Sequence, residues 1–283
     1  MNHPQNPHVR DEPAAGEGAG SESLVGQVAI VTGGGLGIGK AVTRALAARG
    51  ATVVIVARRL PLLETAAEQL MKETGGEIIP ISADTTDTES VRHMVETTAA
   101  LLGRVDILVN GAAAPAGLVR NDVEEADPEA LLADLNTKVI GYFRCIQAVA
   151  PHMRRANYGR IVNIGGLTGR SSHALSGMRN LAIVHMTKAL SDQLGPAGIT
   201  INTVHPGVVE TEHIHELYAK NAAAEGITPE QVEQNFIAKT PVRRVLSAEE
   251  VADAISFFAS RRSGGITGES LGIDGGLTRG IFL

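Results

Sequence analysis

The stretch TGGGLGIG, residues 32–39, carries the first chemistry legible in the chain. Gly33 suits a tight turn, Gly37 lets backbone approach a ligand, and Gly39, following Ile38, allows a helix to pack closely. Free N–H groups at the start of such a helix face an anion and are aided by the helix dipole. The pattern therefore reads as a cradle for the pyrophosphate of a dinucleotide. The next apolar run ends in VARRL (56–60), with Arg58 and Arg59. A carboxylate at that address would bond a free ribose 2′-hydroxyl, whereas guanidinium suits a 2′-phosphate. The preferred cofactor is thus NADP, with NAD second; the alternative is that both arginines cover a surface turn.

These residues need a scaffold, and the chain supplies an alternating one. Apolar runs at QVAIV (27–31), TVVIV (52–56), EIIPIS (77–82), VDILVN (105–110), RIVNIG (160–165), ITINTV (199–204) and SLGID (270–274) read as strands. Helical stretches fall between them, from Ile38 to about Arg49, Leu60 to about Thr74, Thr88 to Leu102 and over 248–259. Strands alternating with helices predict an α/β fold: one doubly wound Rossmann-type domain with a parallel sheet of about seven strands and helices on both faces. Ligands then bind at the carboxyl ends of the strands. Residues 1–23, polar and rich in Gly and Pro, predict a disordered tail ahead of a domain over 24–283. Residues 210–240 break the rhythm and read as a substrate lid.

The Gly-x-x-x-Gly-x-Gly spacing resembles that of the short-chain dehydrogenase/reductase family, and further segments over about 26–280 match it in order. Asp84 in SAD stands where the family holds the adenine. LVNGAA (108–113) keeps the family's Asn at Asn110 and departs from it at Gly111. HPGVVET (205–211) matches the Pro-Gly-x-x-x-Thr segment that lines the nicotinamide, which implicates Pro206, Gly207 and Thr211. ITGESLGIDGG (266–276) resembles the C-terminal strand, a usual subunit contact, so the resemblance implies a homo-oligomer, dimer or tetramer.

The same resemblance exposes a gap. The family's catalytic set is Asn, Ser, Tyr and Lys. Gap-free counting places Lys138 at the asparagine position, Gly166 at the serine, Ser176 at the tyrosine and Asn180 at the lysine. Asn136 lies about 200° around a helix from Lys138 and should face elsewhere. Lys188 stands roughly 12 Å further along the helix than Asn180 and cannot take its place. Tyr142, one turn beyond Lys138, reads as core or interface, and Tyr158 sits in the turn before the fifth strand. The lysine and asparagine thus look exchanged between helices. If Lys138 and Asn180 share a pocket, a desolvated lysine acts as acid or base and Ser176 passes a proton. Otherwise Lys138 is a solvated helix residue and Asn180 a polar helix face. His173 is a further candidate acid and Arg179 a candidate for an anionic substrate group. His205, His213 and His215 lie near the lid, but no remaining ligand set accompanies them and no metal is expected.

With 283 residues, 43% apolar and 20% charged, the chain has ample material for a core. A formal charge of −6 argues against nucleic acid or an anionic membrane as partner. The single cysteine, Cys145, excludes an internal disulfide and points to a reducing compartment. No signal peptide or apolar span is apparent, so a cytoplasmic protein with a small-molecule substrate is expected. Three readings stand: an NAD(P)-dependent oxidoreductase with a non-standard proton donor, a non-catalytic cofactor-binding protein, or a non-redox enzyme of the same fold. The first acts on a carbonyl or alcohol, or on a conjugated double bond, as the dienoyl-CoA reductases of this fold do; those lack the tyrosine but keep the lysine.

Overall fold

The computed structural model describes residues 23–113, 122–170 and 174–280. Strand β1 (Val28–Thr32) leads through the glycine turn into α1 (Gly37–Ala48), followed by β2 (Thr52–Ala57), α2 (Leu60–Thr74), β3 (Ile78–Ser82) and α3 (Thr88–Leu102). The second half holds β4 (Ile107–Asn110), α4 (Pro128–Leu135), α5 (Gly141–Ala156), β5 (Gly159–Ile164), α6 (Gly177–Leu194) and β6 (Ile199–Pro206). Then come β7 (Val209–Glu210), α7 (Ile214–Glu225), α8 (Pro229–Lys239), β8 (Leu246–Ser247), α9 (Ala248–Ala259) and β9 (Ser270–Ile273). The main sheet runs β3-β2-β1-β4-β5-β6-β9, every pair parallel. This is the expected doubly wound arrangement, with its switch point between β1 and β4.

Alternation along each strand divides the core between the two faces. Ala29, Val31, Val53, Ile55, Ile107 and Val109 pack under α1, α2 and α9. Ile30, Val54, Val56, Leu108 and Ile161 pack under α3, α5 and α6, with Cys145 among them. Both faces of a crossover-covered sheet are dry, which is why the strands read as continuous apolar runs. Burial pushes the Cys145 thiol up to about 12 and leaves it inert.

Polar residues mark the two ends of the strands. At the amino end, buried Asp106 accepts the Val28 N–H at 2.9 Å and a two-pronged contact from Arg104. Tyr158 belongs to that end: its hydroxyl donates to Gln27 Oε1 at 3.1 Å, and the guanidinium groups of Arg160 and Arg261 lie 4.4 and 4.5 Å from its ring centre. Toward the carboxyl end, Thr32, Asn110, Asn163 and Thr203 stand side by side in register, all buried.

The segment over 210–240 folds as α7 and α8, closed on their own small core of Ile214, Tyr218, Ala222 and Val232. Tyr218 stacks on Phe236 with ring centres 6.0 Å apart. The sequence pattern gave no sign of the β7–β8 pairing, which ties the base of this segment to the start of α9. Two-residue strands carry too little periodicity to announce themselves. Of the expected tail, residues 1–22 lie outside the described residues, while Leu24 is already core.

Candidate active site

Three strand ends and the start of α1 form the first half of the site. Gly33 has φ +74°, and a Cβ there would lie 3.0 Å from the Gly111 carbonyl oxygen. A Cβ on Gly39 would lie 2.1 Å from the Gly33 carbonyl oxygen, so that position admits only glycine. Gly37, at φ +51°, meets nothing closer than Thr211 at 3.6 Å and stays open to an incoming group. Ile38 turns inward onto the core.

The first turn of α1 lacks local compensation for its free N–H groups: Leu36 offers no side-chain cap, and no acid lies in the turn. Instead the Gly37 N–H donates to Glu212 Oε2 at 3.1 Å, so a carboxylate from the 210–240 segment stands where an anionic ligand would sit. This internal anion shows that the cradle accepts negative charge, and the residues present fit a dinucleotide pyrophosphate. Arg58 is exposed just past β2. Asp84, past β3, is held below the ordinary carboxylate value chiefly by the Thr86 N–H, with the Thr86 hydroxyl, Arg58 and Arg144 adding to it. Asn110 is wholly buried; its Nδ2 donates to Asn163 Oδ1 at 2.9 Å and its own Oδ1 has no partner. The N–H groups of Gly111 and Ala112 are tied to Thr32 Oγ1 at 3.0 and 3.1 Å. Pro206 ends β6, Gly207 donates to the Ile273 carbonyl at 2.9 Å, and Thr211 packs beside Gly37.

The second half centres on Lys138. Between α4 and α5 the chain makes a π-helical turn over Asn136–Ile140, a distortion that re-aims side chains and often marks a functional site. Lys138 is 4% exposed. Its Nζ donates to the Gly165 carbonyl at 2.8 Å and to Asn180 Oδ1 at 3.2 Å. Lys138 and Asn180 are therefore in direct contact within the interior. Burial, reinforced by the nearby Arg179 charge and opposed by Asp134, brings the ammonium down to about 7. Asn136 faces away, accepting from Arg144 at 3.0 Å. One turn beyond, Tyr142 is core: its hydroxyl donates to the Ile164 carbonyl at 3.0 Å and burial drives its ionisation far upward.

Asn180 is 1% exposed, and its Nδ2 donates to Thr168 Oγ1 at 2.7 Å. Thr168 comes from the short 3₁₀ turn Leu167–Arg170 that follows β5. Sequence reasoning passed over it, although it is the first hydroxyl after the strand in NIGGLTGR. A Cβ on Gly166 would lie 2.9 Å from Asn180 Nδ2, so any side chain there would crowd the asparagine. Ser176 precedes α6, half-buried, and caps none of its backbone.

The remaining candidates are placed elsewhere. Arg179 pairs with buried Asp134 rather than standing free for an anionic substrate. His205 is locked: Nδ1 lies 3.0 Å from both the nitrogen and the oxygen of Gly166, and Nε2 lies 2.7 Å from Ser270 Oγ. Burial lowers it to about 4, so the ring is neutral at pH 7. His213 contacts Glu216 at 3.4 Å on the surface, and His215 is exposed. Among the described residues, no group of three or more His, Cys, Asp or Glu side chains is disposed to hold a metal. Lys188 is exposed on α6. His173 lies outside the described residues. No helix among them is long and apolar enough to cross a membrane.

A glycine turn at the switch point, opening onto the start of α1, fits a dinucleotide-binding fold of the short-chain type. The family model described as enoyl-(acyl carrier protein) reductase matches residues 34–278, and the chain belongs to this short-chain dehydrogenase/reductase family. The 3-oxoacyl-(acyl-carrier-protein) reductase FabG of Thermotoga maritima is 33% identical over 263 residues, 90% of this chain and 98% of that protein. The NADPH-dependent reductase BacG of Bacillus subtilis is 29% identical, over 90% and 99% of the two chains. Among solved structures, a variant of actinorhodin polyketide ketoreductase with NADPH superposes with a TM-score of 0.84 at 29% identity, over 90% of this chain and 98% of that one.

Proposed function

We propose that this chain is an NADPH-dependent reductase of a carbonyl compound in which Lys138, rather than the family's tyrosine, supplies the proton. The observation that carries the reading is the buried Lys138 ammonium, held between the Gly165 carbonyl and Asn180. NADPH, when bound, supplies the hydride. Gly33, Gly37, Ile38 and Gly39 cradle its pyrophosphate and Arg58 takes the 2′-phosphate. Asp84 serves the adenine, and Asn110, Gly111, Pro206, Gly207 and Thr211 line the nicotinamide end.

A group near 7 is populated in both protonation states at neutral pH, which is what general acid catalysis needs. As the carbonyl oxygen gains the electron pair of its breaking π bond, Lys138 gives it a proton and becomes an amine, recharged from solvent. Two of its three donors are engaged, and the third serves the substrate. Ser176, one turn ahead of Asn180 on α6, is a weaker relay, since its hydroxyl is a far poorer acid than a phenol. The names of the relatives favour a carbonyl over a conjugated double bond. They lend no support to the reading of the chain as a non-catalytic cofactor-binding protein. Helices α7 and α8 serve as the lid. Leu132, Ile140 and Phe143 expose apolar surface on and beside α4 and α5, which favours a homo-oligomer, and light scattering reads its mass.

The test is NADPH oxidation over ketones, enones and enoyl thioesters, with Lys138→Ala beside the parent. Turnover of at least one ketone, lost about 100-fold or more in the variant while NADPH still binds, is expected. An unchanged rate in the variant removes Lys138 from the mechanism.

A further inference from the structure

We propose that His205 is a positioning residue for the reaction: its Nδ1 accepts the Gly166 N–H and so holds the Gly165 carbonyl, at the other end of the same peptide group, against the Lys138 ammonium. The inference rests on the reading of Lys138 as proton donor. A peptide group is planar, and its C=O and N–H point in opposite directions, so the two bonds hold opposite ends of one rigid unit. The Gly165 oxygen lies 2.8 Å from Lys138 Nζ, and the Gly166 nitrogen lies 3.0 Å from His205 Nδ1.

A peptide between two glycines needs such a clamp, because neither residue has a Cβ to restrict its rotation. The Gly165 N–H is anchored to the Val204 carbonyl at 2.7 Å, which fixes where β5 ends but not how the next peptide is turned. Among the hydrogen bonds described, Nδ1 is the one acceptor for the Gly166 N–H. The ring itself is wholly buried, and its Nε2 lies 2.7 Å from Ser270 Oγ on β9. It packs so closely that a Cβ on Gly165 would stand 2.5 Å from Nδ1, so only glycine fits beside it.

The Ser270 hydroxyl suits either tautomer of the ring, whereas a backbone N–H can only donate. A proton on Nδ1 would set two N–H groups against each other at 3.0 Å and leave that of Gly166 without an acceptor. The Gly166 carbonyl, also 3.0 Å from Nδ1, takes the Gly169 N–H at 3.4 Å and does not depend on the ring. Nδ1 therefore carries the lone pair, and Nε2 donates its proton to Ser270. Burial, with the charges of Arg170 in the 3₁₀ turn and of Lys138, keeps the ring neutral, opposed by its contact with Gly166. Around Nζ, Asp134 of α4 and Arg179 of α6 are paired with each other, Asn180 of α6 accepts, and Tyr142 of α5 donates to Ile164. Replacing His205 by an uncharged side chain thus alters no charge near Nζ.

The experiment has two parts, both on the ¹⁵N-labelled full chain. Long-range ¹H–¹⁵N correlation of the imidazole rings at neutral pH reads the tautomer, and His205→Asn assigns the signal. The Nε2–H form is expected, and the Nδ1–H form overturns the inference. The second part is a pH titration of the lysine side chains, in which Lys138→Arg assigns the signal. The parent should titrate at about 7. His205→Leu, close in volume but unable to accept, frees the carbonyl and weakens a charge-assisted bond to the ammonium. Its lysine should titrate about one pH unit lower, and the alkaline limb of NADPH oxidation should shift with it. His205→Asn, whose Oδ1 stands where Nδ1 was, should return the midpoint to the parental value. His205→Gln, whose amide reaches the place of Nε2 instead, should behave as the leucine variant does, and decides the matter if leucine is not tolerated. An unmoved midpoint in the leucine and glutamine variants overturns the inference, even where activity falls. Shifted midpoints in a protein that oxidises no NADPH would uphold the clamp and overturn the reductase reading instead.

Discussion

The Gly37 N–H donates to Glu212 Oε2 at 3.1 Å across 175 residues of sequence, so the base of the α7–α8 segment rests on the first turn of α1. A phosphate arriving at that N–H would have to displace a carboxylate that belongs to the α7–α8 segment. Glu212→Gln keeps the size and removes the charge. It should tighten NADPH and NADH alike, by two- to fivefold, since a charge at a helix N-terminus is worth about 0.3–1 kcal/mol. Quenching of cofactor fluorescence reads the change, and equal affinities in parent and variant would show that the carboxylate does not compete.

The role proposed for Arg58 concerns a different part of the cofactor. It stands exposed past β2, with its charge felt by Asp84 past β3. Arg58→Ala should weaken NADPH about tenfold or more and leave NADH nearly unchanged, because only NADPH carries the 2′-phosphate. Parallel titrations with the two cofactors separate the cases, and an equal loss for both would assign Arg58 to the shared part of the molecule.

Lys138 also makes stability depend on pH. Its native value of about 7 lies below the ordinary unfolded value of about 10.4. Between those limits the unfolded chain binds more protons, so native stability rises with pH across that window and is reduced below it. The unfolding free energy of the parent minus that of Lys138→Met should therefore grow from pH 7 to pH 10, by up to about 1.4 kcal/mol per unit. Urea unfolding at several pH values measures the slope. A flat difference would mean that Lys138 is not desolvated.

Gly166 tests the fit between the two halves of the pocket. Gly166→Ser restores the residue type of the resembled family, yet its Cβ would stand 2.9 Å from Asn180 Nδ2. A loss of about 1–3 kcal/mol in denaturant unfolding and no gain in NADPH oxidation are expected. A more active variant would show that the pocket accommodates both groups.

Much of this architecture could be read from the chain, and the reason differs from element to element. Helices at Leu60–Thr74, Thr88–Leu102 and Ala248–Ala259 end at the expected residues, because periodicity and caps act locally. Gap-free counting brought Lys138 and Asn180 to matching positions, but it assumed a regular helix where the chain makes a π-helical turn. Thr168, Glu212 and the locking of His205 were out of reach for another reason. Each acquires its meaning from a partner far away in sequence: Asn180, Gly37 and Ser270. No local pattern signals such a pairing. Arg179 shows the converse, since a lone arginine looks available until Asp134 is folded against it.

The 3.2 Å contact between Lys138 and Asn180 also constrains how this chain is connected to others by mutation. Asn180→Lys alone would crowd two ammonium groups into one buried site, and Lys138→Asn alone would leave two amides and no cation between them. Only the reciprocal double replacement preserves a single positive charge. Substitutions at these two positions, 42 residues apart, should therefore be strongly non-additive in stability.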